Sequence, residues 1–331
     1  MDCVSKIIRF ENSKNENAER KHILLCGDKN YIKYCGITLT SVLISNPDEN
    51  FTFHIFCDDI TKEDLEKIKI TTEKFNIDIN VYYLNANLLK MFSTDMHGND
   101  HISIAAYFRF IAFGELYKYI DKVLYLDSDI LVRNNINVFW EKEMNSKCAI
   151  VVEDAAGKDN ARRLKTNKYF NSGVMFVDLK TWKIKEYTKK CMEEATKKVY
   201  RFLDQDILNL VLDNDILCID KKYNFNYSLS RLMDKSKKPS SEELSGNVVV
   251  CHFIGASKPW HSWVQCFKAV KEYNDIKEHS EWNDNSIITP FDMKKDKYKY
   301  MHKFARLSKK ESNYQEMCYW YFQYAINKIL K

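Results

Sequence analysis

Apolar and polar positions fall into short blocks along this chain, and the blocks read as strands separated by helices. His22-Ile23-Leu24-Leu25-Cys26-Gly27 is an apolar run of strand length, followed by a turn at Asp28-Lys29-Asn30-Tyr31. Ile32 to Ile44 has helical spacing and ends at Asn46-Pro47, because the residue before a proline is pushed out of the helical region. Phe51 to Cys57 reads as a strand, and Thr61 to Phe75 as an amphipathic helix with Thr61 capping its start. Ile77 to Leu84 is a third strand, and Ala105 to Tyr119 predicts a helix leading into Val123-Leu124-Tyr125-Leu126. Further strands are expected over Cys148 to Val152, Val174 to Val177 and Val248 to Phe253. Between them lie a mostly polar helix, Thr181 to Tyr200, and a short apolar one, Asp204 to Leu212.

Strands alternating with helices predict an α/β fold whose mainly parallel sheet has helices on both faces. Ligands of such sheets bind beyond the carboxyl ends of the strands. Asp28, Asp127 and His252 each stand at or just past such an end, so the pattern brings them to one rim.

That rim carries the candidate chemistry. Asp127-Ser128-Asp129 separates two apolar runs, and strand alternation turns both carboxylates to one side with Ser128 opposite. Two hard oxygen donors side by side suit Mg or Mn. An isolated Asp-x-Asp could equally be a solvated loop or a helix cap. His252 opens His252-Phe253-Ile254-Gly255-Ala256-Ser257-Lys258-Pro259-Trp260. A histidine after a strand is commonly a satisfied core residue, yet a neutral imidazole could complete a metal site begun by two carboxylates. Gly255 permits close backbone approach and Lys258 offers a point charge to a phosphate. Together the two segments point to a metal-chelated diphosphate.

Composition narrows the class. With 331 residues, 45% of them hydrophobic, the chain can bury one large domain with an appendage. The ten cysteines are scattered singly, without Cys-x-x-Cys or zinc-ligand spacing, as expected of reduced thiols in the cytosol. Met1 to Arg20 lacks the apolar core of a signal peptide, and no apolar stretch approaches the ~18 residues needed to cross a bilayer. The net charge is +5, but the tail from Phe291 to Lys331 holds ten Lys and Arg against four Asp and Glu, together with ten aromatics. Lysines beside Tyr, Trp and Phe favour an anionic membrane surface. The alternatives are a helix packed on the main domain with its lysines merely solvated, and nucleic-acid binding, which is not expected.

Six ordered blocks resemble glycosyltransferase family 8, the retaining nucleotide-sugar transferases of GT-A fold, and most of all its bacterial lipopolysaccharide core glucosyl- and galactosyltransferases. They are Gly27-Asp28-Lys29-Asn30-Tyr31; His101-Ile102-Ser103-Ile104 with Tyr107-Phe108-Arg109-Phe110; Lys122 to Asp129; Tyr169-Phe170-Asn171-Ser172-Gly173-Val174; Leu203-Asp204-Gln205-Asp206-Ile207-Leu208-Asn209; and the His252 segment. The resemblance implies a Rossmann-like GT-A domain over 21–265, after a flexible segment over 1–20. A basic, aromatic, helical and membrane-associating region would occupy 266–331. It implies transfer of glucose or galactose from UDP-glucose or UDP-galactose to a lipopolysaccharide or lipooligosaccharide hydroxyl, with an alpha linkage, on the cytoplasmic face of the membrane.

Carried over residue by residue, the resemblance gives each block a role. Asp28, Asn30 and Tyr31 hold uracil and ribose, and His101 approaches the phosphates or acceptor. Asp127, Asp129 and His252 bind Mn or Mg, with Ser128 between the two acids. Gly255 and Lys258 meet the diphosphate. Arg109, Asp127, Asp154, Asn171 and Asp204 line the sugar pocket, and Gln205 sits near the anomeric carbon. The residues expected to carry catalysis are Gln205, Asp204, Asp154 and Lys258. Glu153 stays open as the alternative to Asp154, and each contact has a plainer reading: Arg109 paired with a surface acid, Asp204 as a helix cap with Asp206 exposed behind it, Asn171 in a turn, Tyr31 as an ordinary aromatic. Two other enzyme readings also stand: a glycogenin-like or other polysaccharide or protein glucosyltransferase, and a metal-dependent nucleotide-sugar hydrolase. A membrane-surface binding protein with a degenerate catalytic domain is the non-enzymatic one.

Overall fold

A computed structural model of the chain describes residues 3–12, 20–85, 107–233, 247–293 and 295–329. The chain divides into two compact units. The first runs to Asn226 and takes in Asn247–His252 and Ser280–Trp282. Its strands are β1 (Val4–Phe10), β2 (Lys21–Gly27), β3 (Phe51–Cys57), β4 (Asp78–Leu84), β5 (Lys122–Leu126), β6 (Ile130–Val132), β7 (Ala149–Glu153), β8 (Phe170–Asp178), β9 (Ile216–Ile219), β10 (Phe225–Asn226) and β11 (Val250–His252).

Eight of them form one mixed sheet in the order β1-β4-β3-β2-β5-β8-β7-β9. β2 pairs in parallel with both β3 and β5, and β3 with β4, whereas β8 runs antiparallel between β5 and β7. Every residue of β3 is buried, as expected for a strand covered on both faces. A smaller sheet, β10-β11-β6, carries the site. Its β11 runs antiparallel to β6, with His252 opposite Ile130.

The expected helices are largely present. Ile32–Ser45 follows β2, and Lys62–Phe75 begins where the Thr61 hydroxyl accepts a hydrogen bond from Asp64 N at 3.0 Å. Phe108–Leu116 precedes β5; the first residues expected in that helix, Ala105 and Ala106, lie outside the described residues. Four expectations need correction. Val4–Phe10 is not part of a flexible segment but an edge strand, paired antiparallel with β4. The helix expected over Thr181–Tyr200 is two, Leu179–Ile184 and Tyr187–Lys197, parted at Glu186 with a φ of 56°. The strand expected at Val174 begins at Phe170, and β9 was not anticipated.

The second unit comprises Tyr227–Gly246, Phe253–His279 and Asn283–Lys331. Its main helices are Lys268–His279, Lys297–Lys310 and Tyr314–Ile329. The last two pack through Met301, Ala305 and Trp320, while Tyr314, Tyr319, Phe322 and Ile329 stay exposed. Among the described residues, no helix is long and apolar enough to cross a membrane.

Inside the sheet, His22 Nδ1 lies 3.1 Å from His54 Nε2, and His54 Nδ1 lies 3.0 Å from the Tyr82 hydroxyl. Burial, and then Arg20, lowers the His22 pKa from 6.5 to about 4; burial, and then His22, lowers that of His54 to about 3. The unfolded chain therefore binds more protons than the folded one below pH 6.5. Stability is complete above that pH and falls as pH drops towards 4 and then 3, by on the order of a few kcal/mol. A His54→Gln variant, which cannot titrate, is expected to show a shallower loss of melting temperature between pH 6.5 and 4. Parallel slopes for the two proteins would remove this pair as the cause.

Candidate active site

The site begins where β5 ends. Asp127 N donates to the Gly173 carbonyl at 2.9 Å, so the turn stays stitched to β8 after the strand proper has stopped. From the other side the Thr38 hydroxyl reaches the carbonyls of Ser128 (3.0 Å) and Ile130 (2.9 Å). Pinned twice, the turn presents Asp127 and Asp129 to His252 at the end of β11. His252 Nε2 lies 3.1 Å from Asp129 Oδ1 and 3.6 Å from Asp127 Oδ2. One ligand atom from each of the three residues falls within 4.8 Å of the others.

The two oxygens of Asp127 have different duties. Oδ1 accepts from Arg109 Nη2 (2.9 Å) and from the Tyr125 hydroxyl (2.5 Å), which leaves Oδ2 turned to His252. Tyr125 sits two residues earlier on the same face of β5, and its ring carries the Arg109 guanidinium at 4.2 Å. The opposite wall is backbone. A Cβ on Gly173 would stand 2.2 Å from His252 Cε1 and 2.8 Å from Asp127 Oδ2, so glycine alone fits there. Two carboxylates and an imidazole around one point suit a Mn or Mg ion.

Beside this triad lies a buried polar layer. Arg109 donates through Nη1 to the Ser172 carbonyl (2.7 Å), and its Nε lies 3.4 Å from Asp204 Oδ2. It pairs with the acids of the site, not with a surface acid. Asp204 also accepts from the Ser172 hydroxyl at 3.1 Å and does not cap its helix. Burial pushes its carboxyl up to about 6, Arg109 working against that shift and Asp127 with it. Gln205 is fixed at both ends of its amide. Oε1 accepts from Asn171 Nδ2 (3.1 Å) and Ser172 N (3.2 Å), and Nε2 donates to the Tyr169 hydroxyl (3.0 Å). Tyr169 in turn donates to Asp206, which a two-pronged Arg163 also holds. Asp206 is fully buried, contrary to the exposed first turn expected of it.

Asp154 joins the same layer. Its Oδ2 lies 3.5 Å from Asn171 Nδ2 and 3.3 Å from Asn226 Nδ2, whereas Glu153 is exposed. At the end of β2, Asp28 Oδ1 accepts from Asn30 N (2.9 Å), and its carbonyl accepts from Tyr31 N (2.8 Å). Burial raises the Tyr31 phenol to about 12, with Asp129 and then Asp28 adding to the shift. The phenol therefore feels both Asp129 and Asp28.

Gly255 and Lys258 belong to the second unit. Gly255 has a φ of 86°, a conformation that favours glycine, and open space where a Cβ would be. The Lys258 ammonium donates to the Phe253 carbonyl of its own loop at 2.8 Å. His101 lies outside the described residues.

The residue pattern that defines Glycosyl transferase family 8 matches residues 22–264, a span that includes every residue of this layer and of the triad. The chain belongs to this family. Glycosyl transferase family 8 relatives include the lipopolysaccharide 1,3-galactosyltransferase of Salmonella typhimurium, 27% identical over all of this chain and 98% of that enzyme. The lipopolysaccharide 1,2-glucosyltransferase of Escherichia coli K12 is 31% identical over 78% of each chain. Among solved structures, galactosyltransferase LgtC in complex with donor and acceptor sugar analogues superposes with a TM-score of 0.64. That match has 24% identity and covers 78% of this chain and 96% of LgtC. This is the GT-A arrangement expected of the sequence.

Several members of the site of this family 8 protein are not evident in its sequence. Tyr125 hides inside an apolar run, although period-2 spacing from Asp127 puts both on one face. Asn224 and Asn226 flank Phe225, and Tyr169, Asp206 and Arg163 support Gln205 from behind.

Proposed function

We propose that this enzyme transfers glucose or galactose from a UDP-sugar to a hydroxyl of a lipopolysaccharide core oligosaccharide, with retention and hence an alpha linkage. The observation that carries the reading is the convergence of Asp127, Asp129 and His252 beside the buried Arg109–Asp204–Gln205 layer. The lipopolysaccharide enzymes among its relatives support the acceptor class.

In the transfer, the bond from the anomeric carbon to the UDP phosphate breaks. Negative charge grows on the diphosphate while the sugar becomes oxocarbenium-like. A divalent ion held by the triad would supply Lewis acidity to the departing diphosphate. Asp28, Asn30 and Tyr31 would hold the nucleoside. Arg109, Asp154, Asn171 and Asp204 would read sugar hydroxyls by charge-assisted hydrogen bonds. Gln205 is a poor nucleophile by chemistry, and here both lone-pair directions of its Oε1 already meet donors. This favours front-face attack, in which the acceptor oxygen approaches from the leaving-group side and the departing phosphate takes its proton. Gln205 then stabilises positive charge beneath the ring by its carbonyl dipole.

Lys258 is assigned to the diphosphate. Lys258→Ala is expected to lower kcat by about 10²-fold, the usual cost of one lost donor to a developing anion. Steady-state kinetics at saturating UDP-sugar check this, and an unchanged kcat would strip Lys258 of the role.

The deciding experiment offers a panel of UDP-sugars with truncated lipopolysaccharide cores, followed by linkage analysis. The cores are presented in anionic vesicles. The exposed Tyr319 and Phe322 among the tail lysines support peripheral binding at a cytoplasmic membrane face, and sedimentation with the vesicles reads it out. Free hexose released equally with and without acceptor would mean a hydrolase. Transfer to a protein or polysaccharide but to no core would mean a glycogenin-like enzyme.

A further inference from the structure

Asn224 ends the short turn before β10 and is 2% exposed. Its amide lies between two others of the site. Nδ2 faces Asn171 Oδ1 at 2.9 Å, and Oδ1 faces His252 Nδ1 at 3.0 Å. Amide and imidazole orientations are ordinarily ambiguous, because oxygen and nitrogen are alike in shape. Here the ambiguity can be removed from one end. The Gly173 backbone N–H points at the Asn171 side chain at 3.0 Å. A backbone N–H can only donate, so the atom it meets on Asn171 is the oxygen. The atom of Asn224 facing that oxygen is then the NH₂ group. Its other atom is therefore a carbonyl oxygen, an acceptor with no proton to give. His252 must meet it with a proton on Nδ1.

We propose that Asn224 is a positioning residue that holds His252 with its proton on Nδ1 and Nε2 as the metal-ligating atom. The inference rests on the metal reading of the triad. Its reach is through four residues of the chain in order: Gly173 N–H, Asn171, Asn224, His252. The outcome is a ring whose plane and tautomer are set before any ion arrives. Outer hydrogen-bond partners of metal-binding histidines typically contribute 10- to 100-fold to metal affinity. Asn224 acts through the imidazole.

Manganese chloride titrated calorimetrically into the full chain provides the test. Asn224→Leu removes the acceptor while keeping the branched shape of the side chain and is expected to weaken Mn binding roughly 10- to 100-fold. Asn224→Asp keeps an acceptor for Nδ1–H and is expected to stay within about threefold of wild type, although it forfeits the bond to Asn171. Two results would overturn the proposal: Asn224→Leu binding Mn as tightly as wild type, or both variants losing affinity equally, which would make the effect one of the Asn171 contact or of folding. Melting curves in chelator report whether each variant folds. If Asn224→Leu does not, the decision passes to wild type: nitrogen NMR of the metal-free protein should find the neutral His252 ring with its proton on Nδ1, and a proton on Nε2 refutes the assignment. Asp129→Ala separates the two levels of the argument. If wild type and Asp129→Ala bind Mn alike, the triad itself is not the metal site, and the role of Asn224 falls with it.

Discussion

Asp129→Ala is expected to lower transfer by at least about three orders of magnitude, without unfolding the protein. A Lewis acid at the leaving group contributes several kcal/mol of charge stabilisation, and each ~1.4 kcal/mol is a factor of ten in rate. Asp127→Ala is the obvious alternative and a poorer probe. Asp127 Oδ1 is a partner of Arg109, which is 4% exposed, and of Tyr125. Deleting one side of a buried pair costs about 3–5 kcal/mol of stability by leaving the other charge uncompensated, so lost activity would be mixed with lost fold. Asp129 lies against the His252 imidazole, 3.1 Å from Nε2. The measurement is initial rate against added Mn or Mg after chelation, with a melting curve beside it. Wild-type rates from the chelator-treated variant would refute the metal role outright.

Val123–Leu126 was legible because burial on both faces writes itself as an unbroken apolar run, and Phe51–Cys57 because apolar residues alternate with Thr52 and His54. The Asp127–Asp129 turn was legible for the opposite reason: two acids interrupt an apolar run where the sheet ends. What escaped shares one cause, namely polar residues satisfied by distant parts of the chain. Asn171 had a plain reading in a turn, yet it and Ser172 are both buried strand residues. Their partners Gln205, Asp204 and Asn224 stand 34, 32 and 53 positions away. Asn224 is 28 residues from the histidine it holds. No local pattern records such a bond. The break at Glu186 is different again, since a left-handed glutamate carries neither of the usual signals, glycine or proline. Val4–Phe10 is short and half-exposed, so its pairing with β4 has little apolar signature of its own.

Gly173→Ala, by size among the mildest changes available, is expected to be among the most damaging. A methyl group there would lie 2.2 Å from His252 Cε1, 2.7 Å from its Nδ1 and 2.8 Å from Asp127 Oδ2. Something must move, and each neighbour is tied down. Asn224 holds the imidazole, and β11 is held in register with β6. Arg109 and Tyr125 hold the carboxylate. Gly173 itself donates to Asn171 Oδ1 and accepts from Asp127 N. Overpacking of this kind typically costs about 1–3 kcal/mol, which a domain of this size can absorb as a modest fall in melting temperature. The site cannot absorb it, because ligands displaced by even ~1 Å forfeit much of their catalytic effect. Activity and Mn affinity are therefore expected to fall by about 10²-fold or more, far out of proportion to stability. A double variant, Gly173→Ala with His252→Ala, sharpens the test, since it removes the ring that the methyl group strikes. Adding Gly173→Ala to His252→Ala should cost less stability than adding it to wild type, and the difference measures the clash directly. Equal costs in the two backgrounds, or Gly173→Ala enzyme with undiminished Mn affinity, would mean that the imidazole yields freely. The rigid triad argued here would then be wrong.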